Sequence, residues 1–165
     1  MQKEILKTID EYEGGLSNDK LDKGGLTKYG ISKKSYPNID IASLTKEQAT
    51  AIYEKDYWTP LRLDEIKSPR IRWKVFDIGV NCGIGTAAKL LQRAIQVPDD
   101  GIIGNITLAR LNSWTLSSCG ENEVLNKLVD QQVGYYCEIV RRDITQINFL
   151  KGWIKRAQDR GSNLA

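Results

Sequence analysis

The chain has 165 residues, of which 41% are hydrophobic and 27% charged, and its formal net charge is +3. This profile is typical of one soluble globular domain with its own core, and the small charge excess gives no reason to expect a nucleic-acid partner. The absence of histidine excludes Ser-His-Asp and Cys-His mechanisms and histidine-bound zinc sites. In an enzyme of this composition, carboxylates, tyrosine, lysine or water must move the protons.

The three cysteines, Cys82, Cys119 and Cys137, are far apart in the sequence. Their odd number argues against a disulfide framework, so we expect buried thiols. The chain shows no apolar run of signal-peptide length at its start, and no segment approaches the roughly 20 apolar residues of a membrane span. We therefore expect synthesis in a cytosol, no membrane insertion, and a separate release route if the protein acts outside the cell.

The first predicted helix covers Gln2 to Tyr12, where apolar residues recur at helical spacing, and Gly14-Gly15 end it. The polar, glycine-rich stretch 16–26 favours a loop or a short hairpin. Strand-like alternation is nearly absent elsewhere. The predicted fold class is therefore mainly α, with at most a small β-hairpin near residues 16–26.

A short helix is predicted from about Thr27 to a point before Pro37, because the residue that precedes a proline avoids the helical region. Thr45 and Gln48 then have the spacing of a capping box, which begins a helix that reaches about Trp58. Downstream, Pro69 is expected to open a helix that Gly83 interrupts. After a turn at Pro98–Gly101, Asn105 is expected to cap a short helix. A long helix is predicted over Val124–Val140 and a last one over Phe149–Ile154.

Glu13 lies at the predicted end of the first helix. The negative end of the helix dipole disfavours an ionised carboxylate there, and partial burial acts in the same direction. Both effects raise the pKa, as a general acid requires. The alternative is an exposed glutamate before a glycine C-cap.

Asp22 lies in the glycine-rich stretch, where Gly24-Gly25 can turn the chain back toward the helix end. Two carboxylates on either side of a sugar ring are the groups that glycosidases use. Thr27 is suited either to orient a water molecule or to cap a helix. Asp19 is a second loop acid, and spacing alone does not choose between Asp19 and Asp22.

Asp77 and Asn81 are one helical turn apart on a single face. The pair is suited either to bind sugar hydroxyls or to form a buried network near Gly83. The basic pairs Arg141-Arg142 and Lys155-Arg156 are expected on solvated helix faces.

Several motifs, in order along nearly the whole chain, resemble those of glycoside hydrolase family 108, which comprises N-acetylmuramidases found as phage endolysins and as bacterial secretion activator proteins. The motifs are Glu13-Gly14-Gly15 with Asp22-x-Gly24-Gly25-x-Thr27-x-x-Gly30-Ile31, Tyr57-Trp58, Phe76-Asp77-x-Gly79-Val80-Asn81-x-Gly83, Leu91-Gln92 with Asp100-Gly101-x-x-Gly104-x-x-Thr107, and Gly152-Trp153-x-x-Arg156.

The resemblance implies a lysozyme-like helical fold, peptidoglycan as substrate and Glu13 as the catalytic acid. It also implies a catalytic half over 1–88 and a peptidoglycan-binding-like helical half over 89–165, packed together as one compact domain. The N-acetylmuramidase activity that we expect is cleavage of the β-1,4 bond between N-acetylmuramic acid and N-acetylglucosamine.

The resemblance further implies that Glu13 protonates the leaving oxygen. Asp22 is then the base or electrostatic partner, and Thr27 positions water. The predicted substrate-binding residues are Tyr29, Asp77 and Asn81. No metal or organic cofactor is needed, and a holin or a secretion system is the expected means of release. The alternatives are a lytic transglycosylase and a non-catalytic peptidoglycan-binding accessory protein of secretion.

Overall fold

The structure is a computed structural model that describes residues 1–11, 26–117 and 119–164. The chain divides into two compact units, Met1–Asp56 and Tyr57–Ala165. The described residues form seven α-helices and a single two-stranded sheet. The predicted fold class, mainly α with one small hairpin, is confirmed.

The first unit contains α1 (Gln2–Glu11), β1 (Thr27–Lys28), β2 (Ile31–Ser32) and α2 (Lys46–Tyr53). The predicted capping box that begins α2 is confirmed: Gln48 N donates to Thr45 Oγ1 at 3.2 Å, and Thr45 N donates to Gln48 Oε1 at 2.9 Å. These reciprocal bonds satisfy two backbone donors, so the start of α2 is set by local sequence. A π-helical turn, Glu54–Trp58, follows α2.

The helix predicted from Thr27 is wrong, because the chain forms a β-hairpin there. Thr27 pairs with Ser32 and Lys28 with Ile31 in an antiparallel ladder. The two turn residues, Tyr29 and Gly30, have φ angles of 52° and 75°. Positive φ at both central positions is the conformation that matches the twist of a two-residue hairpin, and it cannot continue a right-handed helix. The hairpin lies just beyond the 16–26 stretch, of which residues 16–25 are outside the described residues.

The second unit contains five helices: α3 (Pro69–Cys82), α4 (Ile84–Ala94), α5 (Asn105–Trp114), α6 (Gly120–Arg142) and α7 (Ile147–Gln158). Pro69 occupies the first turn of α3, as predicted, while the Ser68 side chain accepts a hydrogen bond from Ile71 N at 3.2 Å. The predicted break at Gly83 is also confirmed, since its φ of 88° ends α3 and α4 begins at the next residue.

The start of α5 differs by one residue from the prediction. Gly104, rather than Asn105, is the N-cap, and Asn105 is the first helical residue. The Asn105 side chain instead accepts a hydrogen bond from Arg62 Nη2 at 3.0 Å. The Asn105 side chain, which the sequence predicted as the helix cap, is therefore used in a long-range hydrogen bond instead.

The core of the second unit surrounds α3, which packs against α4 and α6, while α6 packs against α7. Large apolar side chains fill it, and each contributes about 1.5–3 kcal/mol on burial. Trp58 is 1% exposed and Trp73 0% exposed, so both belong to the core and present no ring to a ligand. None of the described helices is long and apolar enough to cross a membrane.

The expectation of buried thiols is wrong for two of the three cysteines. Cys119 and Cys137 are exposed, because one precedes α6 and the other lies on its outer face. Cys82 is half-buried, with its Sγ 3.6 Å from the Tyr136 hydroxyl oxygen. Burial raises the pKa of the Cys82 thiol.

Candidate active site

In the first unit, α2 holds both elements that flank the segment carrying the predicted acids. The helix α1 packs against α2, and Lys46 pairs with Asp10 near the end of α1. At the other end of α2, the Tyr53 hydroxyl donates to the Tyr29 carbonyl oxygen at 2.9 Å. The helix that leads to Glu13 and the hairpin that follows Asp22 therefore share one support.

Glu13 and Asp22, with the alternative acid Asp19, lie within residues 12–25, outside the described residues. Their roles as acid and base stay predictions. The last described residue before them is Glu11 at the end of α1, and the first after them is Leu26, whose carbonyl accepts a hydrogen bond from Lys33 N at 2.9 Å.

Thr27 occupies the first position of β1 and is half-buried. Its backbone belongs to the hairpin ladder opposite Ser32. The alternative of a helix N-cap at Thr27 is therefore wrong. Because a ladder fixes the face to which each Cα–Cβ bond points, the Thr27 side chain projects from a defined face of the hairpin.

Tyr29 occupies the first turn position of the hairpin, with a half-buried side chain. Its backbone is held through the Tyr53 hydroxyl, and Lys28 Nζ lies 5.5 Å from the centre of its ring. Lys28 Nζ also donates to the Ala42 carbonyl at 3.1 Å. A ring on a fixed turn loses little entropy when it contacts a ligand.

In the second unit, Asp77 lies on α3 and is 0% exposed. Its Oδ1 accepts from Arg156 Nε at 3.0 Å and from Arg156 Nη2 at 2.9 Å. The solvated face predicted for Arg156 is wrong, because its side chain is only 13% exposed and joins α7 to α3. Burial outweighs the nearby cations and raises the pKa of Asp77. For Asp77, the structure shows the buried network; a contact with sugar stays a prediction.

Lys74, which the sequence reasoning missed, is buried beside this pair. Its Nζ donates to the carbonyls of Ala157 at 2.6 Å and Asp159 at 3.0 Å, at the C-terminal end of α7. A cation at that end satisfies free carbonyls and opposes the helix dipole. Burial lowers the Lys74 pKa to about 8. A lysine inside the apolar stripe of α3, three positions before an aspartate, was the available signal.

Asn81 lies one turn after Asp77 and is half-buried. Its side chain makes no hydrogen bond with any of the described residues. The amide is therefore able to accept a ligand contact, and the substrate-binding role of Asn81 stays a prediction.

A tyrosine and a glutamine of α6 form a further buried polar pair in the second unit. Tyr136 is 1% exposed, and its hydroxyl accepts from Gln132 Nε2 at 2.8 Å. Burial raises the pKa of Tyr136, so its hydroxyl stays protonated at neutral pH. On the other side its ring stacks on Trp153, with centroids 5.2 Å apart.

The downstream motif that begins at Leu91-Gln92 forms one hydrogen-bonded loop. The buried Gln92 amide donates to Asp100 Oδ1 at 2.7 Å and to the Ile102 carbonyl at 3.0 Å, and it accepts from Gly101 N at 2.9 Å. Gln92 Nε2 also lies 3.3 Å from Thr107 Oγ1. The expected turn at Asp100-Gly101 is confirmed, with a Gly101 φ of 84°.

Among the described residues, no three histidine, cysteine, aspartate or glutamate side chains come together as metal ligands. The described residues thus provide a helix and a hairpin supported by α2 in the first unit, and a buried charge network in the second unit.

Comparison with known proteins assigns a class to this arrangement. Residues 6–83 match the family model described as Glycosyl hydrolase 108, and residues 86–158 match the model described as Predicted Peptidoglycan domain. The solved structure of Brucella abortus SagA is similar, with 26% identity and a TM-score of 0.74 over 95% of this chain and 91% of that one. No curated protein matches the sequence.

The mainly α, lysozyme-like fold and the two matches define a glycoside hydrolase that acts on peptidoglycan. The resemblance to glycoside hydrolase family 108 that the sequence motifs predicted is confirmed over residues 6–83. The predicted division into halves at residue 88 stays a prediction.

Proposed function

We propose that the protein is an N-acetylmuramidase, which hydrolyses the β-1,4 bond between N-acetylmuramic acid and N-acetylglucosamine. The observation that carries this proposal is the glycosyl hydrolase 108 match over residues 6–83, a range that includes Glu13, Asp22 and Thr27. The support that α2 gives to both flanks of the acidic segment is consistent with a site there.

In this proposal Glu13 protonates the glycosidic oxygen as the bond breaks. Asp22, ionised, activates water or stabilises the oxocarbenium-like transition state, and Thr27 orients the water. A carboxyl separation of about 6.5–9.5 Å favours an inverting reaction, and about 5 Å a covalent one. Tyr29, Asp77 and Asn81 are the proposed substrate-binding residues. None of these steps calls for a metal or an organic cofactor.

Glu13→Gln is the direct test. The substitution removes the acidic proton without changing the size of the side chain, so we expect at least a 1,000-fold (about 4 kcal/mol) loss of sacculus hydrolysis with an unchanged circular dichroism spectrum. Glu11→Gln is the matched control, since Glu11 lies in α1 and pairs with Lys7. Full activity of Glu13→Gln contradicts the assignment.

Asp22→Asn and Asp19→Asn, compared side by side, decide which loop acid is the second carboxylate. We expect the loss only for Asp22→Asn. An equal loss in both variants, or a loss only for Asp19→Asn, contradicts the role given to Asp22.

The products separate hydrolysis from its closest alternative. A lytic transglycosylase also uses a glutamate acid, but it leaves anhydro-muramic ends instead of reducing ends. Mass spectrometry of digested peptidoglycan distinguishes the two. Binding to sacculi without any released fragment favours the third possibility, a non-catalytic accessory protein of secretion.

The site of action belongs to the same proposal. We place synthesis in the bacterial or phage-infected cytoplasm and action at the cell wall, after release through a holin or a secretion system. Fractionation of cells with and without the release system, followed by immunoblotting, tests this route.

A further inference from the structure

A groove of about 490 Å³ lies between α4 and α6, inside the second unit. We call it the α4–α6 groove and define it by Lys89 and Leu90 on α4 and Asp130, Gly134, Tyr135 and Ile139 on α6. Its volume is within the usual range of small-ligand sites. Every one of these residues falls within 86–158, the range of the peptidoglycan-domain match.

The α4–α6 groove offers charges of both signs above an apolar floor. Leu90 is buried at 2% exposure, and Tyr135 is half-buried beside Tyr136. Among the described residues, neither Lys89 nor Asp130 forms an ion pair. The neighbouring charges at the rim are already engaged, as Arg93 pairs with Asp99 at 2.6 Å and Arg142 with Glu138 at 3.0 Å. Arg93 and, to a smaller extent, Lys89 lower the pKa of Asp99, so Lys89 acts on that carboxylate only from beyond ion-pair distance, and one cation and one anion remain within reach of a ligand.

The hydrogen-bonded loop described above also supports this groove. Gly101 N is held by Gln92 Oε1 at 2.9 Å. The stem of Lys89 lies over Gly101, with its Cε 3.2 Å from the point that a Gly101 Cβ would occupy. Because Gly101 also has positive φ, a side chain there would strain the turn and displace Lys89. The motif from Leu91-Gln92 to Thr107 thus helps to position Lys89, the cation of the groove.

We propose that the α4–α6 groove binds the peptide portion of peptidoglycan. The N-acetylated glycan backbone is essentially uncharged, whereas the stem peptide carries carboxylates, an ammonium group and alkyl segments. Lys89 faces a peptide carboxylate, Asp130 faces an ammonium group, and Leu90 with Tyr135 covers the alkyl part. The inference rests on the proposed action on peptidoglycan and adds the chemical group that the second unit recognises.

Gly134 allows the groove to be blocked without disturbing the fold. A Cβ at Gly134 would meet no atom within 4 Å, and the same is true of Gly152 on α7. Both glycines are helical, so a larger residue does not strain either backbone. Gly134→Phe fills the groove, and Gly152→Phe is the matched control on another helix.

The probe is a synthetic stem tetrapeptide that contains a diamino acid and carries no sugar, titrated into the full-length protein by isothermal calorimetry. We expect binding to the wild type, at least a tenfold weaker affinity for Gly134→Phe, and an unchanged affinity for Gly152→Phe. Lys89→Gln should also weaken binding several-fold, whereas Lys151→Gln on α7 should not. Circular dichroism checks that each variant is folded.

The absence of peptide binding by the wild type, or equal affinity of Gly134→Phe and the wild type, overturns the inference. Hydrolysis is measured separately, on glycan strands from which the peptides have been removed. Wild-type protein that cleaves these strands but binds no peptide keeps the proposed function and loses the groove assignment. Protein that binds the peptide through the groove but cleaves no glycan keeps the groove assignment and contradicts the proposed function.

Discussion

At the scale of single residues, the Asp77–Arg156 pair is the most consequential contact in the second unit. It joins α3 to α7 where Asp77 is 0% exposed. Removing one member of a buried ion pair leaves the other charged and desolvated, which costs about 3–5 kcal/mol, whereas replacing both with apolar residues is often near neutral. The pair is therefore a specific connection between helices rather than a simple addition to stability.

Asp77→Asn should lower the free energy of unfolding by about 3 kcal/mol, because Arg156 keeps its charge and loses its partner. The double variant Asp77→Leu/Arg156→Met should recover most of that loss. Urea denaturation followed by circular dichroism measures both. A loss in the double variant equal to the sum of the single losses contradicts the coupling.

Lys74 predicts a dependence of stability on alkaline pH. Its pKa is about 8 in the folded protein, against an ordinary value of 10.5. Between these values the unfolded chain binds more protons, so stability rises with pH from about 8 to about 10.5. Relative to Lys74→Met, the wild type should gain up to about 3 kcal/mol across that window.

The measurement is urea unfolding of wild type and Lys74→Met at a series of pH values. Lys151→Met provides the comparison, since Lys151 lies exposed on α7. A constant difference between wild type and Lys74→Met from pH 7 to pH 10 contradicts the lowered pKa.

At the scale of elements, the sequence predicts what local chemistry decides. The capping box at Thr45, the proline that opens α3 and the glycine that ends it each act within one turn of helix, and all three are confirmed. The hairpin at 27–32 was missed because a tyrosine, rather than a glycine or asparagine, takes the first positive-φ position. The buried partners of Lys74 and Arg156 were missed because they are more than 75 residues away in sequence.

The same distinction between local and long-range contacts applies to the candidate site. Its residues are recognisable as a motif because they are close in sequence, and Thr27 and Tyr29 prove to lie on one short hairpin. The motif could not indicate that α2 holds this hairpin through the Tyr53 hydroxyl, because that contact spans 24 residues.

Gly30→Ala should destabilise the hairpin by about 1–2 kcal/mol, because alanine is strained at a φ of 75°. Hydrolysis should fall with it, since Thr27 loses its fixed direction. Tyr29→Asn should leave stability unchanged or slightly higher, because Asn-Gly is the preferred pair for this turn.

Thermal unfolding and sacculus turbidity, measured on both variants, separate structure from substrate contact. Tyr29→Asn with full stability and reduced activity supports a substrate contact by the tyrosine ring. Full activity of Tyr29→Asn removes Tyr29 from the predicted substrate-binding residues.

At the scale of the whole molecule, the missing histidine simplifies the pH dependence of activity. The chain has no side chain whose ordinary pKa lies between those of glutamate and cysteine. Below the Lys74 pKa of about 8, a decline of kcat/KM with rising pH should therefore report the carboxyl group of the general acid. Initial rates on a soluble glycan oligomer from pH 4 to pH 9 measure it, and a rate that stays constant to pH 9 contradicts a carboxylic acid as proton donor.

The helix α3 is assigned to different parts of the chain by sequence similarity and by packing. By sequence family it falls in the hydrolase segment 6–83, whereas by packing it belongs to the unit Tyr57–Ala165, in which Lys74 and Asp77 hold the end of α7. A chimera that exchanges the C-terminal segment between relatives at residue 84 would combine α3 of one protein with α7 of another, so the buried contacts of Lys74 and Asp77 would lose their matched partners. Recombination between Asp56 and Tyr57 keeps α3 and α7 together, so exchanges between such relatives should be made before α3 rather than after it.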